Sequence, residues 1–378
     1  MDSIPFHKCD YLLNAQEALQ STLELDKASG DGPWTQKCRK RLEDLYRTPV
    51  LLTPSCTAAL EMSAFLSDIK EGDEVILPSF TFSSTASAFA LRGARLIFVD
   101  VEPKTLNVSP AAVESAITKN TRAIICMHYG SVSCDMAALV KISKDAHCIL
   151  VEDAAQCIGA SYKDTPLGSI GDFGTLSFHA TKNLGCGEGG ALILGNPKHL
   201  ERAEMIREKG TNRSQFLRGE VDKYTWRDIG SSYLPSEFQM AVLDSQLDYL
   251  EQITAGRLRA WSAYKEFFST FKFKNRITLT ELPEYAKHNA HLFSLRLESE
   301  ALRDQLREHL LENNIQSVTH YVPLHSSPAG MKYGEFRGED RYTTSESSKL
   351  LRLPLFATLT DSNIEKVCHT VESFFEKN

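Results

Sequence analysis

The chain has 378 residues, 42% of them hydrophobic and 24% charged, with a formal net charge of -7. These values exclude a disordered or collagen-like chain, and one large domain plus a smaller one is the default for this length. The negative balance gives no general electrostatic reason to bind nucleic acid or an anionic membrane.

The N-terminus, Met1-Asp2-Ser3-Ile4-Pro5-Phe6-His7-Lys8, lacks a basic stretch followed by an apolar one, and no run is long enough to cross a bilayer. A cytoplasmic protein with no membrane partner is the expectation. Nine cysteines, an odd number without C-x-x-C spacing, argue against a disulfide framework and a structural zinc site, so no metal is expected.

From about residue 50 to 195, short apolar runs alternate with helical stretches, the pattern of an α/β layer. The runs 74–77, 95–99, 123–126, 148–151, 175–178 and 191–194 are the predicted strands, and several end in polar residues. Ligands in open α/β sheets bind at such strand ends. The first hydroxyl cluster is Thr53-Pro54-Ser55-Cys56-Thr57, where a loop enters a helix; free N–H groups there serve an anion or an ordinary N-cap equally well. Next, 78–85 sets Phe80 and Phe82 among hydroxyls, as core packing or as a cover for a flat ligand.

The run ending at Val151 meets the acidic pair Glu152-Asp153, followed by Ala154-Ala155-Gln156. An aspartate ending a buried strand needs a partner, and a helix cap or a salt bridge would also satisfy it. Residues 174–183, Gly-Thr-Leu-Ser-Phe-His-Ala-Thr-Lys-Asn, then deliver Lys182 into a turn beside the glycine-dense stretch 185–190. Glycines allow close approach of backbone to a planar ligand. An amine of lowered basicity suits Schiff-base chemistry. Amine, carboxylate, anion cup and flat apolar cover are together what pyridoxal 5'-phosphate (PLP) requires.

Residues 236–271 read as one long helix, with Phe238, Val242, Leu243, Leu247, Leu250 and Ile253 on an apolar stripe. Beyond Pro283 a strand (292–297), a helix (301–312), a strand near 316–321 and a last helix (362–375) make an α+β unit. The expected organisation is a large PLP-binding domain with an N-terminal arm over 1–250 and a small C-terminal α+β domain over 251–378.

Taken in order, Gly30-Asp31-Gly32-Pro33, residues 151–156 and residues 177–183 resemble the fold-type I aminotransferases that act on nucleotide-linked keto-sugars. The resemblance runs from Ile4-Pro5-Phe6 through the C-terminal region. It implies an aspartate-aminotransferase-like α/β fold (PLP fold type I), with a mixed, mainly parallel sheet. By matched position it implies Lys182 as the Schiff-base residue and Asp153 as partner of the ring nitrogen. Gln156 would face the 3-hydroxyl, Phe82 would stack on the ring, and Ser177, Ser55, Cys56 and Thr57 would hold the phosphate. Many relatives have an asparagine two residues after the glycine matching Gly230, reaching the phosphate across a homodimer interface; here that position is Ser232.

Residues 208–216 and 221–230 resemble more closely the branch that aminates C4 of a dTDP-4-keto-6-deoxyhexose to the galacto product, with L-glutamate as donor. Arg213, Lys209, Tyr224, Trp226 and Arg227 offer cations and stacking faces to a nucleotide diphosphate, or form a solvated loop. His320, Tyr321 and His325 in 320–325 are candidates to line the sugar pocket. Related dehydratases replace the lysine by histidine, so Lys182 favours transamination. The gluco epimer, amination at C3 and a non-catalytic binding protein are the rival expectations.

Overall fold

The computed structural model describes residues 3–26 and 28–377. Its centre is an eight-stranded sheet with the order Val50–Thr53, Gly190–Leu194, Phe173–Ser177, Ile149–Asp153, Thr121–Met127, Glu74–Pro78, Arg95–Val99, Gly334–Phe336. Neighbours are parallel from Phe173–Ser177 to Gly334–Phe336, whereas Gly190–Leu194 runs antiparallel to both of its partners. This is the mixed, mainly parallel sheet expected. All six predicted strands are present.

The apolar runs are continuous because the sheet is covered on both faces. Alternate residues supply the two layers: Leu51, Val75, Leu77, Val151 and Leu192 pack under the helix Cys56–Leu66, and Ile76, Ile97, Ile124 and Leu150 pack with the helix Met136–Asp145. On that second face, Val50, Leu52, Leu176 and Ile193 meet Met240 and Leu243 of the helix Glu237–Leu247.

The expected single helix over 236–271 is two helices, Glu237–Leu247 and Leu250–Thr270. A capping box of Ser236 and Gln239 starts the first. At the break the backbone of Tyr249 leaves helical geometry, with ψ of 8°, and its ring stacks on Tyr11 at 4.7 Å between centroids.

A three-stranded antiparallel sheet, Ile277–Leu279, Phe293–Leu297 and Leu350–Leu353, builds the second core with the helices Leu250–Thr270, Glu300–Glu312 and Asp361–Lys377. The strand expected near 316–321 is reduced to one bridge between Val318 and Arg352. Beyond it the chain turns His320 and Tyr321 into a stacked pair at 3.9 Å and reaches Pro323, which has no N–H for a ladder. Two segments cross between the cores. Gly334–Phe336 returns to the edge of the large sheet, and Ile4 packs in the second core, bridged to Ile315. Among the described residues no helix is long and apolar enough to cross a membrane.

Candidate active site

A cavity of about 750 Å³ opens where the large sheet's parallel strands end against the second core. Of the residues singled out in the sequence, Ser55, Cys56, Thr57, Phe82, Asp153, Gln156, Ser177, Lys182, His320 and Tyr321 line it. They come from strand ends and the loops after them, as the topology of open parallel sheets requires.

Asp153 is the last residue of its strand and is buried, 4% exposed. Its Oδ2 accepts a hydrogen bond from Thr85 Oγ1 at 2.6 Å, and Oδ1 accepts from the Ala155 N–H at 3.2 Å. Thr85 Oγ1 also lies 2.8 Å from Thr81 Oγ1, so two buried hydroxyls brace the carboxylate from behind. The preceding residue points to the opposite side of the sheet, as strand geometry demands. There Glu152 accepts four hydrogen bonds, from His128 Nε2 and the N–H groups of Gly168, Ile170 and Gly171. The acidic pair thus divides its work: Glu152 anchors a loop in the core, and Asp153 faces the cavity.

Lys182 follows the strand Phe173–Ser177 through a turn closed by its own N–H on the His179 carbonyl at 2.8 Å. Its side chain lines the cavity, and burial pulls its pKa below the ordinary lysine range. The charge of Arg352 adds to that fall, and Cys56 and Asp153 oppose it. The result is an amine with more of the free-base, nucleophilic form. Beside it, a Cβ on Gly190 would meet the Ser55 backbone at about 2.3 Å, so only glycine lets that strand pass the start of the helix Cys56–Leu66. At this start Ser55 is the N-cap, accepting from the Ala58 N–H at 3.1 Å, while Thr57 Oγ1 meets Ser84 Oγ at 2.8 Å.

Gln156 spans the gap between the two cores. Its Oε1 accepts from the Gly130 N–H at 2.7 Å and its Nε2 donates to the Tyr321 hydroxyl at 3.2 Å. The Tyr321 ring packs edge-on to Phe80 and 6.3 Å from Phe82, an exposed ring at the rim. His320 Nδ1 lies 3.3 Å from the Tyr129 hydroxyl. Burial, helped by the charges of Arg352 and Lys182, drives its pKa down to about 2, so it faces the cavity neutral.

The remaining expected residues lie elsewhere. Lys209, Arg213 and Tyr224 border a separate surface hollow with Ser29, Gly30 and Glu208, and Arg213 is paired with Glu208 at 2.8 Å. Trp226, 76% exposed, and Arg227 and Ser232, also exposed, belong to the same loop region. Local pairing explains the displacement: Lys209 N–H meets the Ser231 carbonyl and Arg227 N–H the Gly210 carbonyl, folding 208–232 onto itself. His325 has both ring nitrogens engaged, by Ser79 Oγ at 2.7 Å and Asp340 at 3.4 Å, and fastens two loops outside the cavity wall.

Sequence reasoning missed Phe6, His7, Ser84, His179, Arg257, His291 and Arg352, which also line the cavity. One legible signal was overlooked, an arginine inside the apolar run Leu350-Leu351-Arg352-Leu353-Pro354-Leu355. Cys126, His128 and Cys134 form a further buried group with ligand-type atoms within 4.8 Å of one another. There the Cys134 N–H donates to His128 Nδ1 at 3.1 Å, so Nε2 carries the proton given to Glu152 and the ring has no lone pair left for an ion.

Several histidines in and near the cavity are held neutral by burial. The pKa of His7 falls to about 4, with the charge of Arg257 adding to desolvation, and that of His288 also falls to about 4. These depressed values mean that the unfolded chain binds more protons below its histidine pKa of about 6.5. Stability should therefore drop by a few kcal/mol as the pH falls from 6.5 towards 4. Urea midpoints at pH 7 and pH 5 test this; equal midpoints would refute it.

A buried amine set with a braced carboxylate, at the strand ends of a mixed sheet with this strand order, defines a PLP enzyme of fold type I. The model of the DegT/DnrJ/EryC1/StrS aminotransferase family matches residues 13–372, and the chain belongs to that family of PLP-dependent sugar aminotransferases. Protein MJ1066 of Methanocaldococcus jannaschii is 31% identical over 363 residues, 92% of this chain and 91% of that protein. The spore coat polysaccharide biosynthesis protein SpsC of Bacillus subtilis is 30% identical, covering 84% of this chain and 83% of its own. Among solved structures, the aminotransferase TlmJ from Streptoalloteichus hindustanus superposes with a TM-score of 0.91 over 100% of both chains at 26% identity.

Proposed function

We propose that the protein moves the amino group of L-glutamate to C4 of dTDP-4-keto-6-deoxy-D-glucose. The product is dTDP-4-amino-4,6-dideoxy-D-galactose, for a bacterial surface polysaccharide such as enterobacterial common antigen or an O-antigen. The observation that carries the catalytic part is the Lys182 side chain in one cavity with a carboxylate, Asp153, braced by Thr85 and Thr81. The resemblance of residues 208–216 and 221–230 to the C4 galacto branch supports the sugar, and the printed name of SpsC supports a polysaccharide setting.

The residues present fit PLP. When bound, the cofactor supplies an aldehyde that takes up an amino group and a protonated ring that stabilises negative charge on the neighbouring carbon. Asp153 holds the proton on the ring nitrogen, and its bracing keeps the acceptor oxygen aimed without reorganisation. Gln156, tied to Gly130 and Tyr321, addresses the 3-hydroxyl side. Ser55, Cys56, Thr57 and Ser177 surround the helix start that receives the phosphate, where free N–H groups favour an anion. Phe82 covers the ring face. Lys182 would hold the cofactor through its amine, and the free-base form favoured by burial would move a proton between the reacting carbons.

A homodimer completes this reading. Trp226, Tyr224, Ile229, Phe216 and Leu217 are large apolar side chains exposed along one loop region. Their burial against a second copy would carry Ser232, Arg213, Lys209 and Arg227 towards that copy's cavity, to reach phosphate and nucleotide. His320 and Tyr321 would line the sugar pocket from within the same chain. Nine free cysteines fit a reducing, cytoplasmic setting.

The test is incubation of the protein with PLP, L-glutamate and dTDP-4-keto-6-deoxy-D-glucose, with the product identified by NMR. An axial amine at C4 of a galacto-configured sugar is expected. An equatorial C4 amine or a C3 amine would replace the assigned product, and no spectral response to glutamate would remove the aminotransferase assignment altogether.

A further inference from the structure

The segment His288-Asn289-Ala290-His291-Leu292 leads into the strand Phe293–Leu297 of the second core and passes the cavity wall on its way. Arg257, buried on the helix Leu250–Thr270, donates Nε–H to the Ala290 carbonyl at 3.0 Å and Nη2–H to the His291 carbonyl at 2.6 Å. Asn289 donates its backbone N–H to Ser131 Oγ at 3.1 Å and its Nδ2 to the carbonyls of Gln156 and Ile158, at 2.9 and 2.8 Å. Ala290 takes a φ of 53°, a left-handed conformation that is costly for a residue with a side chain and persists where the surroundings dictate it. What this clamp holds in place is the ring of His291, which lines the cavity.

The two nitrogens of that ring can be told apart. Asn183, the residue after Lys182, donates Nδ2 to the Asn289 carbonyl at 3.0 Å, and a carbonyl accepts only from the NH₂ end of an amide. Asn183 Oδ1 is therefore the atom 2.9 Å from His291 Nδ1, and the proton between them belongs to Nδ1. In the neutral ring Nε2 is then a bare lone pair. It has no hydrogen-bond partner among the described residues, and with Nδ1 turned to Asn183 it is the nitrogen that a ligand in the cavity can reach. Burial, with the charge of Lys182 next and those of Arg257 and Arg352 after it, holds the pKa of His291 well below the ordinary histidine range. The cavity thus carries, hydrogen-bonded to the neighbour of its amine, a nitrogen that accepts and does not donate.

A lone pair in a cavity wall selects its neighbour: it repels a carboxylate or phosphate oxygen and attracts an O–H or N–H. On the reading proposed above, two compounds in turn bring a reacting carbon to the Lys182 amine. The amino acid carries a carboxylate on that carbon, which the lone pair turns away. The keto-sugar carries a hydroxyl on C3, the carbon bonded to the C4 carbonyl, so this hydroxyl must meet the wall closest to the reacting atoms. Resting on the sugar-aminotransferase reading, we propose that His291, oriented by Asn183 and by the Arg257 clamp, accepts a hydrogen bond from the C3 hydroxyl of the keto-sugar. It is a specificity residue for the sugar half of the reaction and stands idle in the donor half.

The experiment crosses an enzyme change with a substrate change in the PLP-loaded protein. The donor half is followed by the loss of the cofactor's visible absorbance on adding L-glutamate. The sugar half is followed by its return when the amine-loaded enzyme meets dTDP-4-keto-6-deoxy-D-glucose or the analogue lacking the C3 hydroxyl. Removing the hydroxyl should slow the wild-type sugar half, as rate over Kd, on the order of 30-fold, because the lone pair is then left unpaired. His291→Phe, which keeps a flat ring without the nitrogen, should slow the parent sugar comparably, while the analogue and the donor half both stay within about threefold of wild type. Calorimetric binding of dTDP-6-deoxy-D-glucose, which has no carbonyl to aminate, should weaken on the order of tenfold in the variant, a readout free of turnover. His291→Gln, whose amide oxygen can accept, should fall between. Equal losses for both sugars, losses in both halves, or a wild-type enzyme indifferent to the hydroxyl would each overturn the assignment of His291. A wild-type enzyme that responds to glutamate but never to the keto-sugar overturns the substrate reading instead.

Discussion

Lys182→Ala is expected to lower turnover by on the order of 10⁴-fold and to remove the absorbance that the cofactor shows when joined to the protein's amine. Two functions vanish with one side chain, the attachment point and the base that carries the proton between carbons. The fold should survive, because Lys182 contributes no side-chain hydrogen bond among the described residues and the turn around it is made by backbone: its N–H meets the His179 carbonyl, and the Ala180 N–H meets the Gly187 carbonyl at 2.9 Å. Stopped-flow rates with glutamate, together with an unchanged urea midpoint, check the prediction. A variant with wild-type turnover would sink the assignment of the amine. Lys182→Arg should not rescue, since a guanidinium is never the free base that the step needs.

Asp153→Asn should lower the rate of both half-reactions on the order of 10³-fold while changing KM little. The amide keeps an oxygen for the Ala155 N–H but cannot hold a proton on a ring nitrogen, and its NH₂ group then faces either that nitrogen or the Thr85 hydroxyl. The loss is electrostatic and common to both halves. Rates measured for each half in the same preparation decide it, and a loss confined to one half would contradict the ring-nitrogen role.

The parts of this site that could be read from sequence are those close to one another along the chain. Asp153, Gln156, Ser177 and Lys182 fall within one strand-loop-strand stretch whose apolar runs are unbroken because both faces of the sheet are buried. Polar residues there stand out against Val, Ile and Leu. Gly32 was part of a recognised string, but its reason is not local: a Cβ there would strike the carboxylate of Glu237, about 2.6 Å away and 205 residues further along the chain. His7 and Arg257 were missed because they reach the cavity from chain segments far apart in sequence, and nothing in periodicity reports such a meeting; Arg352 shares that distance but does interrupt an apolar run. The strand Gly334–Phe336 was illegible for a different reason: three residues, Gly-Glu-Phe, carry no alternation, and their strand character comes from lying along Arg95–Val99. The helix expected over 236–271 failed at its middle because the apolar stripe continues through Asp248 and Tyr249 while the backbone does not.

The N-terminal segment has a bearing on how the enzyme comes into being. Asp10 accepts hydrogen bonds from the Ala357 and Thr358 N–H groups, His7 Nε2 meets the Ala180 carbonyl at 2.9 Å, and Ile4 donates its N–H to the Asn314 carbonyl and accepts from the Gln316 N–H. Asp10 thus waits for partners that are made 347 and 348 residues later. Seven strands of the large sheet lie before residue 195 and can form first, but the wall carrying Phe6 and His7 closes only once residues 350–358 are made. The cavity wall is therefore complete only once residues 350–358 have been made, and a nascent chain arrested before residue 350 would leave Lys182 without the part of that wall contributed by residues 352–355.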